Sequence, residues 1–387
     1  MLILHSFERD YTFFDYNNDI IKRSSCMNRL EAQLNILFNI KRNNPKQTIR
    51  KHRTLQQTAL IIGCLFAVFL CQYDSVYATE ASIESGFSGY VSPVSGMVGT
   101  TSNFYAFEGQ KFTIDDLSGD MEYDDALNQG FLEIVGEISY MFESGLQMYF
   151  GVPFDQQNPW RYYMNEGISL GLVQYYRDIG RIDLSVFISN EYVWENPYLT
   201  GEERTARQSN KAGLVFDYDH ILGSDWNLLY KFKRKEMDET DDVIGSLYPD
   251  LQRDGFIHTA EIDYNFLLNK QHIITPGVTL VKADIEGESN AYNGCSVKLD
   301  YMWDKESFIL NSSISARREI YDKTHPLFDE TRKDSVFSTG LGLTLLGNLG
   351  FENVFAHCNI RFEKRISNIG FCDADSFTPF ITVGYNF

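Results

Sequence analysis

Charged side chains recur at every second position within apolar segments of this 387-residue chain. In residues 226–233, large apolar residues occupy the even positions, and Lys231 and Lys233 lie between them. A period of two places the two sets on opposite faces of a strand. Charged groups gathered on one face can attract ions and polar solutes, or form ion pairs with the next strand. The residues expected on this inward, charged face are Lys211, Asp217, Lys231, Lys233, Glu261, Asp263, Lys298, Asp300, Arg317 and Arg361, together with Asp183.

Opposite charges on consecutive segments predict contacts between strands. Lys231 and Lys233 are expected to face Glu261 and Asp263 on the following strand. Two interpretations stay open at this point. The charges either cross-link the interior of the protein through ion pairs, or they line a water-filled channel and select its solute.

Catalytic and metal-binding patterns are weak in this sequence. It holds seven histidines, and none combines with a serine and a carboxylate on adjacent expected strands, as nucleophilic catalysis requires. The six cysteines lack the paired spacing of a metal site. A disulfide between Cys358 and Cys372 is conceivable. We therefore predict no catalytic residue, no cofactor and no metal.

The last eleven residues indicate which kind of sheet carries this face. Ile381, Val383, Tyr385 and Phe387 alternate with polar or small residues, and the chain ends on an aromatic side chain. A terminal strand with a wet apolar face invites aggregation, whereas a strand that closes a barrel in lipid needs such a face. The ending also resembles the C-terminal recognition signal of bacterial outer-membrane proteins. Tyr385 and Phe387 are therefore the predicted assembly signal, read by the barrel-insertion machinery.

Fourteen segments of the sequence have strand character, and the last of them is the closing strand. The connections alternate between short turns and longer stretches, which is typical of outer-membrane barrels. We predict an all-β fold, an antiparallel transmembrane barrel of about 14 strands with short periplasmic turns and long extracellular loops. The long loops are expected at 100–131, 153–162, 194–206, 236–255, 283–291, 318–334 and 364–376. An aromatic girdle is expected beside the short turns, from Tyr140, Phe142, Tyr175, Tyr218, Trp226, Phe266, Trp303, Phe308, Phe351 and Phe387.

The N-terminal part of the chain differs from the rest in charge and hydrophobicity. Residues 1–58 carry ten Lys or Arg and five Asp or Glu, whereas the whole chain has a net charge of −19. Residues 59–71 are apolar but too few to span a bilayer, and they match the h-region of a signal peptide. We predict that residues 1–78 form an extension and signal peptide cleaved after Ala78, and that 79–387 form the barrel. The acidic body argues against nucleic acid as a partner.

Several loop and strand-end segments resemble a bacterial outer-membrane family catalogued as domain of unknown function number 2860. The resemblance implies a β-barrel in the bacterial outer membrane, and it supplies neither a substrate nor functional residues. The segments that carry it are 85–89 (SGFSG), 193–201 (VWENPYLTG), 219–224 (DHILGS), 284–288 (DIEGE), 321–323 (YDK) with Pro326, and 367–369 (SNI).

Taken together, the sequence predicts a passive outer-membrane channel for small solutes. The alternatives are a non-transporting surface or structural barrel, acting in adhesion or envelope integrity, and a lipid-modifying barrel enzyme. The expected partners are outer-membrane lipid and lipopolysaccharide, the barrel-insertion machinery and a small solute, with no nucleic acid.

Overall fold

A computed structural model describes residues 85–119, 126–153, 167–176, 178–238, 240–305, 307–347 and 353–387. These residues belong to one compact unit, Tyr77–Phe387. The predicted signal peptide and its cleavage site after Ala78 lie outside them, so both stay predictions. Within the described ranges, no helix has the length and apolar character that a membrane crossing needs.

Antiparallel strands make up most of the described chain. A two-residue strand, Lys111–Phe112, pairs with residues 204 and 205 at the start of the strand Arg204–Asp219. The helical elements are Val243–Leu247 and the single 3₁₀ turns Ile221–Gly223, Pro249–Leu251 and Gly370–Cys372. The strands of the main sheet are β1 Gly86–Thr100, β2 Leu127–Met141, β3 Leu146–Gly151, β4 Ile168–Tyr176, β5 Gly180–Trp194, β6 Arg204–Asp219, β7 Trp226–Met237, β8 Gly255–Tyr264 continued by Phe266–Asn269, β9 His272–Ile285, β10 Tyr292–Lys305, β11 Phe308–His325, β12 Glu330–Leu346, β13 Val354–Ser367 and β14 Ala374–Asn386.

The fourteen strands close into a ring. Each pairs with its neighbours along the chain, and β14 pairs with β1, with Tyr385 opposite Val91. Beyond the end of β14, the Phe387 N–H donates to the Gly89 carbonyl at 3.0 Å, and the Gly89 N–H donates back at 3.1 Å. The predicted all-β barrel of about 14 strands, closed by the C-terminal strand, is confirmed.

The two faces of the ring differ in polarity. On β2, the outward Leu132 and Ile134 are 77% and 78% exposed, while on β5 the inward Asp183 and Phe187 are buried. A wide exposed apolar surface on a closed ring is solvated by lipid, which is the architecture of an outer-membrane barrel. Aromatic residues contact one another beside the short turns, as in Phe87–Tyr140, Trp226–Tyr264 and Trp303–Phe308. Phe351, expected in the same girdle, lies outside the described residues.

One expected loop is largely strand. The sequence predicts a loop at 318–334, but β11 runs to His325 and β12 begins at Glu330, so the connection is residues 326–329. Apolar alternation stops there because the hairpin rises beyond the lipid, where backbone pairing continues without an apolar face. The expected loops at 194–206, 283–291 and 364–376 also shorten, to 195–203, 286–291 and 368–373. Most of the loop expected at 153–162 lies outside the described residues. Loops 101–126 and 238–254 remain long.

Candidate lumen site

The structure places all the residues predicted for the charged face on the inward side of the ring. Asp183 and Asp217 are 2% exposed, and Asp263 is 6% exposed. On each strand, the predicted residues alternate with the residues that face lipid. In chain order, Asp183 lies on β5, Lys211 and Asp217 on β6, Lys231 and Lys233 on β7, Glu261 and Asp263 on β8, Lys298 and Asp300 on β10, Arg317 on β11, and Arg361 on β13.

Lys298 gathers three carboxylates into one cluster. Its Nζ lies 2.5 Å from Glu261, 3.0 Å from Asp263 and 3.2 Å from Asp300. The first two belong to β8, which is separated from β10 by β9. Gly277 of β9 makes this reach feasible, because a Cβ there would lie 2.5 Å from the Lys298 Cε atom. The lysine side chain therefore crosses over a glycine and bridges strands that do not pair.

The predicted pairing between β7 and β8 is wrong in its register. Lys231 and Lys233 were expected to face Glu261 and Asp263, but the register places Asn227 opposite Asp263 and both lysines nearer the extracellular rim. The Asn227 side chain donates to the Asp263 carboxylate at 2.6 Å. A loop of 17 residues joins the two strands, so the sequence pattern carries no information about their relative offset.

A second cluster forms near the periplasmic turns around Arg181, which the sequence prediction missed. Its guanidinium lies 2.8 Å from Asp183, 2.9 Å from Asp219 and 3.4 Å from Asp217. The Tyr149 hydroxyl donates to Asp183 at 3.2 Å. Arg181 lies at the start of a strand beside a turn. Residues two apart on a strand share a face, so the inward position of Asp183 would have predicted that Arg181 also points inward.

A third cluster lies in the extended part of the β11–β12 hairpin. Arg317 contacts Glu319 at 2.8 Å, Arg365 contacts Glu319 at 2.6 Å, and Arg365 also pairs with Asp334. Arg332 lies 2.7 Å from Asp334. Glu319 and Asp334 were missed because they fall in the segment expected to be a loop. The predicted Arg361 pairs with Glu363 of its own strand, at 3.2 Å.

The upper lumen holds a cation-rich group beneath the first extracellular loop. Glu191 of β5 lies 2.7 Å from Lys211 and 2.8 Å from Lys235. Residues 101–119 of the loop turn back over this group, where Tyr105 forms an antiparallel bridge with Val193. A small cavity of about 160 Å³ lies between them.

Tyr105 projects into the water-accessible part of the lumen. Its side chain is 53% exposed, although the surrounding protein desolvates the phenol and raises its pKa. The charged groups that also act on this pKa are Glu191 and Lys211 on one wall and Glu363 and Arg365 on another. Lys211 lies on β6 and Arg365 on β13, which are seven strands apart in either direction around the ring. Tyr105 therefore stands between opposite walls of the barrel.

Extracellular loops form an aromatic cap on this side of the mouth. Phe371 contacts Phe104, Tyr198 and Phe328 with ring centroids 5.3–5.8 Å apart. His325 accepts the Leu327 N–H at Nδ1, so its Nε2–H donates to the Tyr198 hydroxyl, at 2.8 Å. Burial, with a neighbouring arginine, lowers the pKa of His325 to about 4, and the ring is neutral at pH 7. Burial also raises the pKa of the Tyr198 phenol.

Another buried histidine, His357, lies inside the ring. The inward His357 is 1% exposed, and its Nδ1 lies 2.9 Å from the Thr344 hydroxyl. Among the residues that the structure covers, no group of three or more His, Cys, Asp or Glu could hold a metal ion. Cys358 and Cys372 are free thiols, so the disulfide that the sequence left open does not form.

Solved structures similar to this chain include several outer-membrane proteins. The Acinetobacter baumannii outer membrane channel DcaP is 7% identical, with 80% of this chain and 99% of that chain covered and a TM-score of 0.39. A loop-deletion mutant of the Vibrio cholerae outer membrane protein OmpT is 8% identical, covering 79% and 99%, with a TM-score of 0.36. The anion-selective porin from Comamonas acidovorans is 9% identical, covering 79% and 100%, with a TM-score of 0.35.

No protein of curated function matches the sequence significantly. One family model does, under the description "Protein of unknown function (DUF2860)", and its match spans residues 86–386. That span takes in the whole ring from β1 to the end of β14. The chain therefore belongs to the DUF2860 family.

Proposed function

We propose that this barrel is a passive channel for small polar solutes across the outer membrane. The observation that carries the proposal is Tyr105, which is bridged to Val193 of β5 inside the ring and is still 53% exposed. Such a side chain lies beside space inside the ring that the surrounding side chains leave open. A polar interior within a lipid-facing ring lets solutes cross along their concentration gradient. This function needs no catalytic residue and no cofactor, and we propose none.

The packing of the lower lumen supports a narrow path and therefore a small solute. Phe187, Val215 and Phe355 point inward and are 1–5% exposed. Barrels of eight strands are filled by side chains, whereas those of 16 or more leave an aqueous channel. A ring of 14 strands falls between these limits. The clusters of paired charges would then line the space that remains inside the ring and decide which ions and solutes can pass.

A second candidate is a non-transporting surface or structural barrel. The aromatic cap favours it, because Phe104, Tyr198, Phe328 and Phe371 join loops from different parts of the chain into a fixed extracellular surface. A fixed surface suits adhesion or a role in envelope integrity. The two candidates differ in whether ions cross the folded protein.

Single-channel recording in planar lipid bilayers separates these candidates. The channel proposal predicts a steady current, and a reversal potential under a salt gradient that shifts towards cation selectivity in the Lys231→Glu variant. The matched control is Lys282→Glu, because Lys282 lies on the outward parity of β9 with its side chain 59% exposed. A folded barrel that carries no current refutes the channel. Equal shifts in both variants refute the role of the inward charges.

A further inference from the structure

Two exposed cations, Arg318 of β11 and Lys333 of β12, lie side by side on the outer surface of the ring. Arg318 shares its face of β11 with Ile320, which is 51% exposed. Lys333 shares its face of β12 with Phe337, which is 50% exposed. We propose that the two cations bind a phosphate of lipopolysaccharide, the phosphorylated glycolipid of the outer leaflet, and hold one molecule against this side of the barrel. This inference goes beyond the proposed channel function and does not depend on it.

The height of both side chains matches the headgroup region of the outer leaflet. Arg318 is ten residues along β11 from Phe308 in the periplasmic girdle. Lys333 is twelve residues along β12 from Leu345, which lies opposite Phe308. With a rise of about 3.3 Å per residue and a strand tilt of about 40°, these lengths correspond to heights of about 25 and 30 Å. Because the apolar band of such a barrel is about 25 Å tall, Arg318 lies at its upper edge and Lys333 above it.

The strand register brings the two cations close enough to share one phosphate. Arg318 lies opposite Ser335, and Lys333 is two residues from Ser335 on the same face of β12. Diagonal neighbours of this kind are about 7–8 Å apart at the backbone, and both side chains are long. Like charges at this spacing repel each other, and an anion between them relieves the repulsion. Arginine offers phosphate a fork of N–H donors, and lysine adds a compact charge.

Neither cation is neutralised by the part of the chain that the structure describes. Within it, no carboxylate lies at ion-pair distance from Arg318 or Lys333, and the Arg318 guanidinium donates to the Ser335 hydroxyl at 2.7 Å. Glu330, three residues before Lys333, instead accepts a hydrogen bond from the Asn368 amide at 2.9 Å. Both cations can therefore pair with an anion that comes from outside the protein.

A groove in the lipid-facing surface lies nearer the periplasm on the same strands. Its volume is about 580 Å³, and its lining includes Leu310 of β11, Leu341 of β12, Cys358 of β13 and Ser95 of β1. The small side chains of Cys358 and Ser95 leave this depression between larger outward neighbours. Leu310 and Leu341 are each eight residues below the cation on their own strand, which corresponds to about 20 Å of depth. A leaflet with its headgroups is about 20 Å thick, so an acyl chain of the bound lipid can end in the groove.

Native mass spectrometry tests the site on delipidated protein purified from outer membranes in detergent and titrated with lipid A, the phosphorylated anchor of lipopolysaccharide. We expect one lipid A to bind each unmodified barrel. The Arg318→Gln/Lys333→Gln variant should weaken binding about tenfold or more, because it removes two charge-assisted contacts. The matched control is Lys270→Gln/Lys305→Gln, which removes two exposed cations beside the periplasmic turns and should leave binding unchanged.

Two further variants separate the charges from the fold and from the groove. The exchange Arg318→Lys/Lys333→Arg keeps both cations and should bind lipid A within about threefold of the unmodified protein. Ser95→Leu fills the groove and should weaken binding about threefold or more, whereas Ala212→Leu on β6, an outward position away from the groove, should not. Heat-modifiable migration in SDS gels checks that each variant is folded.

The chemistry of the ligand is tested with two other probes. Lipid A freed of its phosphates by alkaline phosphatase should bind the unmodified protein about tenfold more weakly than intact lipid A. Inorganic phosphate at equal concentration should leave lipid A bound, and displacement would mean that the cations form a site for free anions only. The proposal is also overturned by no binding of lipid A to the unmodified protein, or by equal losses in the double variant and its periplasmic control. An unchanged affinity in Ser95→Leu refutes the role of the groove.

Discussion

Replacing Lys298 with methionine removes the cation that contacts three carboxylates inside the ring. The Nζ atom lies within 3.2 Å of Glu261, Asp263 and Asp300. Methionine keeps an unbranched apolar stem, so the substitution deletes the charge with little loss of packing. The three carboxylates then repel one another in a place from which water is largely excluded.

The size of the effect follows from the burial of the cluster. The carboxylate side chains are 17%, 7% and 19% exposed, and that of Lys298 is 18% exposed. Removing one partner of a buried ion pair costs about 3–5 kcal/mol. Because the cluster keeps some contact with water, we expect the lower end, a loss of about 3 kcal/mol in the free energy of unfolding.

Urea unfolding of the detergent-solubilised barrel, followed by tryptophan fluorescence, measures this loss. The control is Lys282→Met. Lys282 also pairs with an aspartate, Asp284 at 2.8 Å, but the two side chains are 59% and 48% exposed. Such a surface pair contributes less than about 1 kcal/mol. Equal losses in the two variants would refute the reasoning, because burial would then have no influence on the strength of the pair.

Three further predictions concern single positions. Gly277→Ala should cost about 1–3 kcal/mol in the same urea assay, because the new Cβ would lie 2.5 Å from Lys298; Gly130→Ala, whose Cβ would meet nothing nearer than 3.8 Å, should cost far less. His325 lies in the extracellular hairpin, and its pKa is lowered from 6.5 to about 4 in the folded protein. Stability should therefore fall as pH drops from about 6.5 towards 4, by up to about 3 kcal/mol, and His325→Gln should lack this part of the pH dependence. Phe387→Ala keeps the backbone bonds to β1, so unfolding in detergent should change little, whereas the amount of folded barrel in the outer membrane should drop on immunoblots; an unchanged amount contradicts the assembly signal.

The period-two pattern was sufficient to predict strands and their faces within lipid. Along β7 and β14, apolar residues alternate with polar or small ones because one face meets lipid and the other meets the interior. The residues of a single strand are therefore enough to tell which alternate positions face lipid and which face the interior. This is why the inward positions of Lys211, Asp217 and Asp300 could be predicted without a structure.

The offset between strands and the course of the loops could not be predicted in this way. Lys298 reaches Asp263 only because Gly277 lies between them on β9, and this depends on the registers of three strands. Glu319 and Asp334 lie where the hairpin leaves the lipid and apolar alternation ends. Tyr105 enters the lumen through long-range backbone contacts with β5, for which its local sequence gives no signal.

Spin-label accessibility along β2 tests the lipid-facing ring most directly. Single cysteines at positions 131–138, in a background without the native cysteines, would carry a nitroxide in reconstituted lipid. Collisions with oxygen report the lipid phase, and collisions with a water-soluble nickel chelate report water. We predict that oxygen accessibility peaks at the even positions, which include Leu132 and Ile134, and chelate accessibility at the odd positions. High chelate accessibility at every position would contradict a barrel with lipid outside and water inside.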